Sequence, residues 1–264
     1  MALLSKTREL LTPAALESLH TIFEAWVSPR SNVEWTSQPT SWLNEDGSEN
    51  LDATRKASLY LAALALNASC PNKLLELDSK PVHEHVHAWE THWRRYFLHR
   101  AVEGIGSEMG SPTYAKYAIQ NFINIADLSP NLGNLAGSFL QLWFADAAQA
   151  FIPSTGVRGG AHNRAYRTAA FFTAGDPFSS FAWLYGWWSP AQPAGVGGVG
   201  SSSGSKVLES LVKVPQMTLF ASSDWKPLDV ITAVASEASP LTAPFMYTQR
   251  RMGDNLPCDQ PLGQ

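Results

Sequence analysis

Residues 131–152 read NLGNLAGSFLQLWFADAAQAFI, the most regular apolar pattern in the chain. Its apolar side chains recur at the i, i+3, i+4 and i+7 spacing that places them on one face of an α-helix. The members of this stripe are Leu132, Leu135, Ala136, Phe139, Leu140, Trp143 and Ala147. Because a stripe of this width must be buried against other elements, the segment predicts a core helix in a mainly α-helical protein.

The preceding residues predict further helices. These cover 13–27, about 49–67, Pro81 to about Val102, and a segment that opens at Ser111-Pro112. Pro81 and Pro112 suit the first turn of the last two of these helices, where the missing N–H of proline is not needed. In the last of these helices apolar side chains cover more than one face, which predicts burial on more than one side. Two more helices are expected, one after Gly159-Gly160 to about Thr173 and one over 178–188.

The pattern changes near residue 190. Residues 190–205 are rich in Pro, Gly and Ser and predict a flexible linker or surface loop. After it we expect strands at 216–221 and 245–250 with a helix at 228–237 between them. The sequence therefore predicts a helical domain over 1–189, an array of helical hairpins, followed by the linker and a short mixed α/β segment over 206–264.

Composition restricts the possible functions of the chain. Its 264 residues are 45% hydrophobic and 16% charged, a globular composition. The net charge of −4 without a basic block argues against a nucleic-acid partner. No apolar run approaches the roughly 20 residues of a membrane span, so no membrane partner is expected. Charges near the N-terminus interrupt any signal-peptide pattern, which predicts an unexported, cytoplasmic chain as written.

No cofactor is expected. The two cysteines, Cys70 and Cys258, lack metal-ligand spacing, and no phosphate loop or dinucleotide fingerprint is visible. The ten tryptophans are either core residues or platforms for flat ligands and sugar rings, with core packing the expected role of most.

Three segments carry the candidate functional residues, and the first is Gly-Ser-Glu-Asn at 47–50. Ser48 can cap the following helix, and Glu49 and Asp52 suit its first turn because they face the positive end of the helix dipole. Capping explains those three residues without any function. It does not explain Asn50, which becomes the candidate.

The second segment, 106–114, places Glu108 between glycines and ends in Tyr114. Glycines allow the backbone to approach a ligand closely, although an ordinary loop between helices accounts for the segment equally well.

The third segment, 156–167, predicts an anion site. Gly159 and Gly160 free backbone N–H groups at a helix start, and Arg158, Arg164 and Arg167 add positive charge. His162 and Tyr166, four residues apart, project from one helix face. A carboxylate held there would meet groups able to neutralise charge, abstract a proton and donate one. A helix cap with a hydrogen-bonded histidine is the alternative.

A histidine cluster comprises His83, His85, His87 and His92. The i, i+4 spacing of His83 and His87 could hold a metal ion, but no acidic or cysteine partner has a matching spacing. We therefore predict a solvated helix face and no metal.

In order and content, the three segments resemble the α/α-toroid domain of heparinase II/III-like and alginate-lyase-like polysaccharide lyases. The resemblance spans roughly residues 35–250. It implies cleavage of an acidic polysaccharide by β-elimination on a ring of helical hairpins. Carried onto this chain, it makes Asn50 and Arg158 clamps for the uronate carboxylate and Tyr166 and His162 the proton-transfer residues. Arg164, Glu49 and Tyr114 would contact the substrate, and Glu108 would orient a neighbour or a sugar hydroxyl.

The chain departs from this family at two points. Relatives commonly place a histidine directly after the asparagine, where this chain has Leu51. They also continue into a large β-sheet domain, so a chain ending at Gln264 would be a truncated or domain-only relative. Both points favour an alternative, a catalytically degenerate scaffold that binds carbohydrate or protein. A glycoside hydrolase that uses two of Glu49, Asp52, Glu108 and Asp146 is the other alternative.

Overall fold

A computed structural model describes residues 10–31, 49–105, 115–152, 157–158 and 222–236. This part of the chain is mainly helical. In chain order its helices are α1 (Pro13–Val27), α2 (Glu49–Asn67), α3 (Val82–Glu103), α4 (Ala115–Leu128), α5 (Gly133–Ala150) and α6 (Asp229–Ser236). Two short strands, β1 (Phe151–Ile152) and β2 (Val157–Arg158), lie between α5 and α6 and pair antiparallel.

The predicted starts and ends of α1 and α2 are confirmed at both ends, and a helix within 228–237 is confirmed by α6. Three boundaries differ. Helix α5 begins at Gly133, two residues after the start predicted for it at residue 131. Pro81 precedes α3 as its N-cap and is not part of its first turn. Residues 151–152 form β1 instead of extending the helix, because Phe151 pairs with Arg158 across a reversal of the chain.

Several predicted elements lie outside the described residues. They are the start of α4 predicted at Ser111-Pro112, the helices after Gly159-Gly160 and over 178–188, the linker at 190–205, and the strands at 216–221 and 245–250.

Local sequence explains where α1 begins and α3 ends. The Thr12 hydroxyl accepts a hydrogen bond from the amide of Ala15 at 3.2 Å, and Pro13 follows at the first helical position. At the other boundary Gly104 has φ 123°, a backbone conformation that L side chains rarely adopt, so the chain leaves α3 at a glycine.

The core is built around α2 and α5. Helix α2 packs against α1, α3 and α4, and α5 packs against α3, α4 and α6. The stripe predicted for α5 is buried apart from the partly exposed Leu135. Helix α4 is buried on more than one side, as its sequence predicts. Aromatic rings at 5.2–6.1 Å join α3, α4 and α5; these are Trp93, Tyr96, Phe97, Phe122 and Phe139.

The segment before α6 docks on α5. The Trp225 indole packs on Phe144 at 5.3 Å and donates a hydrogen bond to the Gly137 carbonyl at 3.1 Å. Gln141 both donates to the Lys226 carbonyl and accepts from the Leu228 amide. Residues 222–236 therefore belong to the same packed body as the helices before them.

Within the described ranges, no helix combines the length and the apolar character that crossing a membrane requires.

Candidate functional site

The amino end of α2 contains the first candidate segment. Glu49 and Asn50 are its first two described residues, and both are buried, at 5% and 4% exposed. The Glu49 carboxylate forms an ion pair with the Arg100 guanidinium, with 2.6 Å between Oε1 and Nη2. Arg100 lies in the last turn of α3, so α2 and α3 run antiparallel and the ion pair joins their ends.

Tyr96 lies one turn before Arg100 on α3 and shares its surroundings. The guanidinium carbon is 5.3 Å from the centre of the Tyr96 ring. Burial raises the pKa of Tyr96 well above its ordinary value; the charge of Arg100 opposes this shift, and the carboxylates of Glu49 and Asp52 add to it. The amino end of α2 thus combines a buried amide, a buried ion pair and a neutral phenol.

Asp52 extends the charged cluster toward solvent. Its carboxylate pairs with Lys56 at 2.8 Å, one turn further along α2, and lies 3.9 Å from Arg55. Glu49 and Asp52 therefore both have cationic partners. An ion-paired carboxylate is poorly suited to act as a general acid.

Leu51, between these groups, is 54% exposed. The helical turn explains the contrast with its neighbours, because consecutive helix residues point about 100° apart. The side chain at this position faces solvent directly beside buried Asn50.

Of the remaining predicted site residues, the structure describes the position of Arg158. It lies in β2, where it pairs with Phe151. The other five, Glu108, Tyr114, His162, Arg164 and Tyr166, lie outside the described residues. Of the predicted site residues, the described part of the chain thus brings together only Glu49 and Asn50, which are consecutive in α2, and α3 contributes Arg100 beside Glu49.

Arg100 and Tyr96 were not predicted as site residues, although the sequence of α3 contains a signal for them. Trp89, Trp93, Tyr96 and Arg100 follow one another at spacings of four, three and four residues, which is the pattern of one buried helix face. All four are buried. An arginine that continues an apolar stripe must find a buried anion, and the carboxylate is Glu49.

The prediction of a solvated histidine face on α3 is wrong for two of its four histidines. His83 and His87 are exposed, whereas His85 and His92 are buried at 0% and 1%. His85 bridges Ser31 and Asp78, with Nδ1 2.9 Å from the Ser31 hydroxyl and Nε2 3.0 Å from the Asp78 carboxylate. Alternate histidines of a helix face different sides, so the cluster in the sequence is divided between core and solvent.

Among the described residues no group of three or more His, Cys, Asp and Glu side chains is placed to hold a metal ion.

Comparison of the chain with models of protein families, with curated proteins and with solved structures gave no match.

Proposed function

We propose that the protein binds an acidic, uronate-containing polysaccharide and cleaves it by β-elimination at the amino end of α2. In this reaction a base removes the C5 proton of the uronate, the bond from C4 to the departing oxygen breaks, and a C4–C5 double bond forms. A proton donor then protonates the departing oxygen, which leaves as a hydroxyl group. The chemistry needs a group that neutralises the carboxylate, since this makes the C5 proton more acidic.

One observation carries the proposal: buried Asn50 directly follows Glu49, whose buried ion pair with Arg100 lies against the Tyr96 ring. Buried charges are expensive, and buried ion pairs contribute little to stability compared with apolar residues of the same size. Ionisable groups with perturbed pKa values concentrate at functional sites. The cluster also lies in the Gly-Ser-Glu-Asn segment that resembles the lyases.

In the proposed site Asn50 donates its side-chain amide to the uronate carboxylate, and Arg158 adds a positive charge. His162 and Tyr166 move the protons, and Glu108, Tyr114 and Arg164 contact the sugar. The proposal includes the fold of these lyases, in which the helices form the closed ring of an α/α toroid. The contacts of α1 with α2, of α2 with α3 and of α4 with α5 support it, because toroids are built from successive helical hairpins.

The test is an ultraviolet absorbance screen with alginate, heparan sulfate, chondroitin, hyaluronan, pectate and glucuronan. Elimination creates an absorbing unsaturated product, so a rise identifies both the reaction and the substrate. We expect Asn50→Ala and Tyr166→Phe to abolish the rise. Asn131→Ala is the matched control, because Asn131 is exposed and bonds to Glu90 on the surface. Full activity in Asn50→Ala would remove the amino end of α2 from the mechanism.

A second function, a carbohydrate-binding scaffold without catalysis, is favoured by Leu51. An aliphatic side chain cannot transfer a proton, and this one stands exposed beside Asn50. Under this alternative the wild-type protein binds acidic oligosaccharides without forming product.

The variant Leu51→His separates the two functions. Because the position is exposed, the substitution should leave the melting temperature nearly unchanged. Product formed by Leu51→His and not by the wild type would identify a degenerate lyase; product formed equally by both would show that this position does not limit the reaction.

A further inference from the structure

Arg100 connects the end of α3 to the first turn of α2. The exposed fractions of the Arg100 and Glu49 side chains are 2% and 4%, so this ion pair is shielded from water and salt. Glu49 and Asn50 are consecutive residues of one helix. The ion pair that holds Glu49 in place therefore also holds the backbone from which the Asn50 side chain projects.

The guanidinium is itself held in place. The Tyr96 ring lies 5.3 Å from it, and the ring packs on Trp93 at 5.2 Å and on Phe122 at 5.8 Å. A planar guanidinium that stacks on an aromatic ring keeps one orientation, whereas a lysine ammonium is a point charge on a flexible chain. Arginine at this position thus transmits the rigidity of the aromatic core to Glu49.

We infer that Arg100 is a positioning residue that orients Asn50 through Glu49. The inference rests on the proposed function, in which Asn50 binds the uronate carboxylate. It also changes the role of Glu49, which would position Asn50 through the backbone of α2 and would not contact the sugar.

The test compares Arg100→Lys with Arg94→Lys in the full chain. Both keep the charge; Arg94 is exposed on the same helix, while Arg100 is buried. Two quantities are measured in each variant once its cooperative melting shows that it is folded. The first is the NMR signal of the Asn50 side-chain amide, assigned by its loss in Asn50→Asp. The second is the Kd for hexamannuronate, with uncharged cellohexaose as the ligand control.

We expect Arg100→Lys to shift the Asn50 amide signal and to weaken hexamannuronate binding about tenfold, the loss that follows from one misaligned hydrogen bond. Arg94→Lys should change neither quantity. If Arg100→Lys does not fold, Glu49→Asp replaces it, because it keeps both charges and withdraws the carboxylate by one methylene group.

Two results would overturn the inference: an unchanged affinity, or an unchanged amide signal, including weakened binding without any shift of the signal. The last would mean that Arg100 contacts the ligand directly. The proposed function fails separately, if none of the six polysaccharides of the absorbance screen is cleaved, and the Asn50 signal would then still decide whether Arg100 orients this side chain.

Discussion

Tyr60 and Tyr96 are two buried phenols with different hydrogen bonding. The Tyr60 hydroxyl lies 2.6 Å from the Ser129 hydroxyl, whose oxygen also accepts from the amide of Leu132 at 3.0 Å. It therefore ties α2 to the turn between α4 and α5. The Tyr96 hydroxyl makes no hydrogen bond of standard geometry with the described residues; its polar neighbour is the Arg100 guanidinium. The same residue type thus has a structural bond at one position and lacks it at the other.

Removal of each hydroxyl separates these roles. Tyr60→Phe breaks a buried hydrogen bond and should lower the free energy of unfolding by about 1–2 kcal/mol. Tyr96→Phe removes a hydroxyl without such a bond and should cost less. Urea denaturation of both variants, monitored by circular dichroism, measures the difference. Equal losses would show that the two hydroxyls contribute alike to stability.

Alkaline pH should weaken the fold through the same two side chains. Burial raises the pKa of Tyr60 and of Tyr96 above the ordinary value near 10. As pH rises past about 10, the unfolded chain releases these protons before the folded protein does, so the free energy of unfolding falls. Denaturant midpoints between neutral pH and about pH 11 measure this fall. It should be shallower in the double variant Tyr60→Phe/Tyr96→Phe, and a fall as steep as in the wild type would assign it to other groups.

The candidate site could be predicted from sequence only in part. Asn50 is a candidate because capping explains its neighbours and not the residue itself, and its role stays a prediction. The Glu49–Arg100 pair could not be found in this way, because its members lie 51 positions apart and on different helices. A local sequence pattern does not show which buried cation pairs with which buried anion.

At the scale of elements, α3 is fixed to the end of α1 by a chain of buried polar contacts. The Trp89 indole donates to the Ser31 hydroxyl at 2.9 Å. That hydroxyl in turn lies 2.9 Å from Nδ1 of His85, and Nε2 of His85 lies 3.0 Å from Asp78. The Asp78 carboxylate can only accept, so Nε2 of His85 donates to it, and in the neutral imidazole Nδ1 then accepts from the Ser31 hydroxyl.

Ser31→Ala should therefore leave Trp89 Nε1 and His85 Nδ1 without this partner and lower the free energy of unfolding by about 1–3 kcal/mol. Ser18→Ala is the control, because the Ser18 hydroxyl is exposed and bonds to the Ala14 carbonyl of its own helix. Its effect should stay within about 0.5 kcal/mol. Chemical denaturation compares the two variants, and similar small losses would mean that solvent replaces the contact with Ser31.

Helix bounds could be predicted closely in α1 and α2 because caps and apolar spacing agree there. In α3 the sequence predicts the helix itself, but it also predicts that its four clustered histidines face solvent, which is wrong for His85 and His92. Spacing gives the angle between side chains and not the direction of the core. The buried side of α3 is set by α2 and by Ser31, which are distant in sequence, so the contacts of His85 could not be derived from its neighbours.

At the scale of the molecule, the segment at 222–236 completes the helical body. The Asp127 carboxylate, near the end of α4, accepts from the Ser223 hydroxyl at 3.1 Å and from the Trp225 amide at 3.2 Å. Ile231 of α6 is buried in the core. These contacts connect positions about 100 residues apart, so they close a long loop, and that closure has an entropic cost.

Asp127→Ala should loosen this docked segment without unfolding α2 and α3, because it removes an acceptor of two hydrogen bonds that lie outside their packing. Hydrogen–deuterium exchange measured by mass spectrometry should rise in peptides from 222–236 and stay unchanged in those from 82–103. The control is Gln149→Ala, whose amide donates to Ala145 within α5. If exchange rises along the whole chain, the segment and the helices unfold as one cooperative unit; if it rises nowhere, Trp225 and Gln141 hold the segment without Asp127.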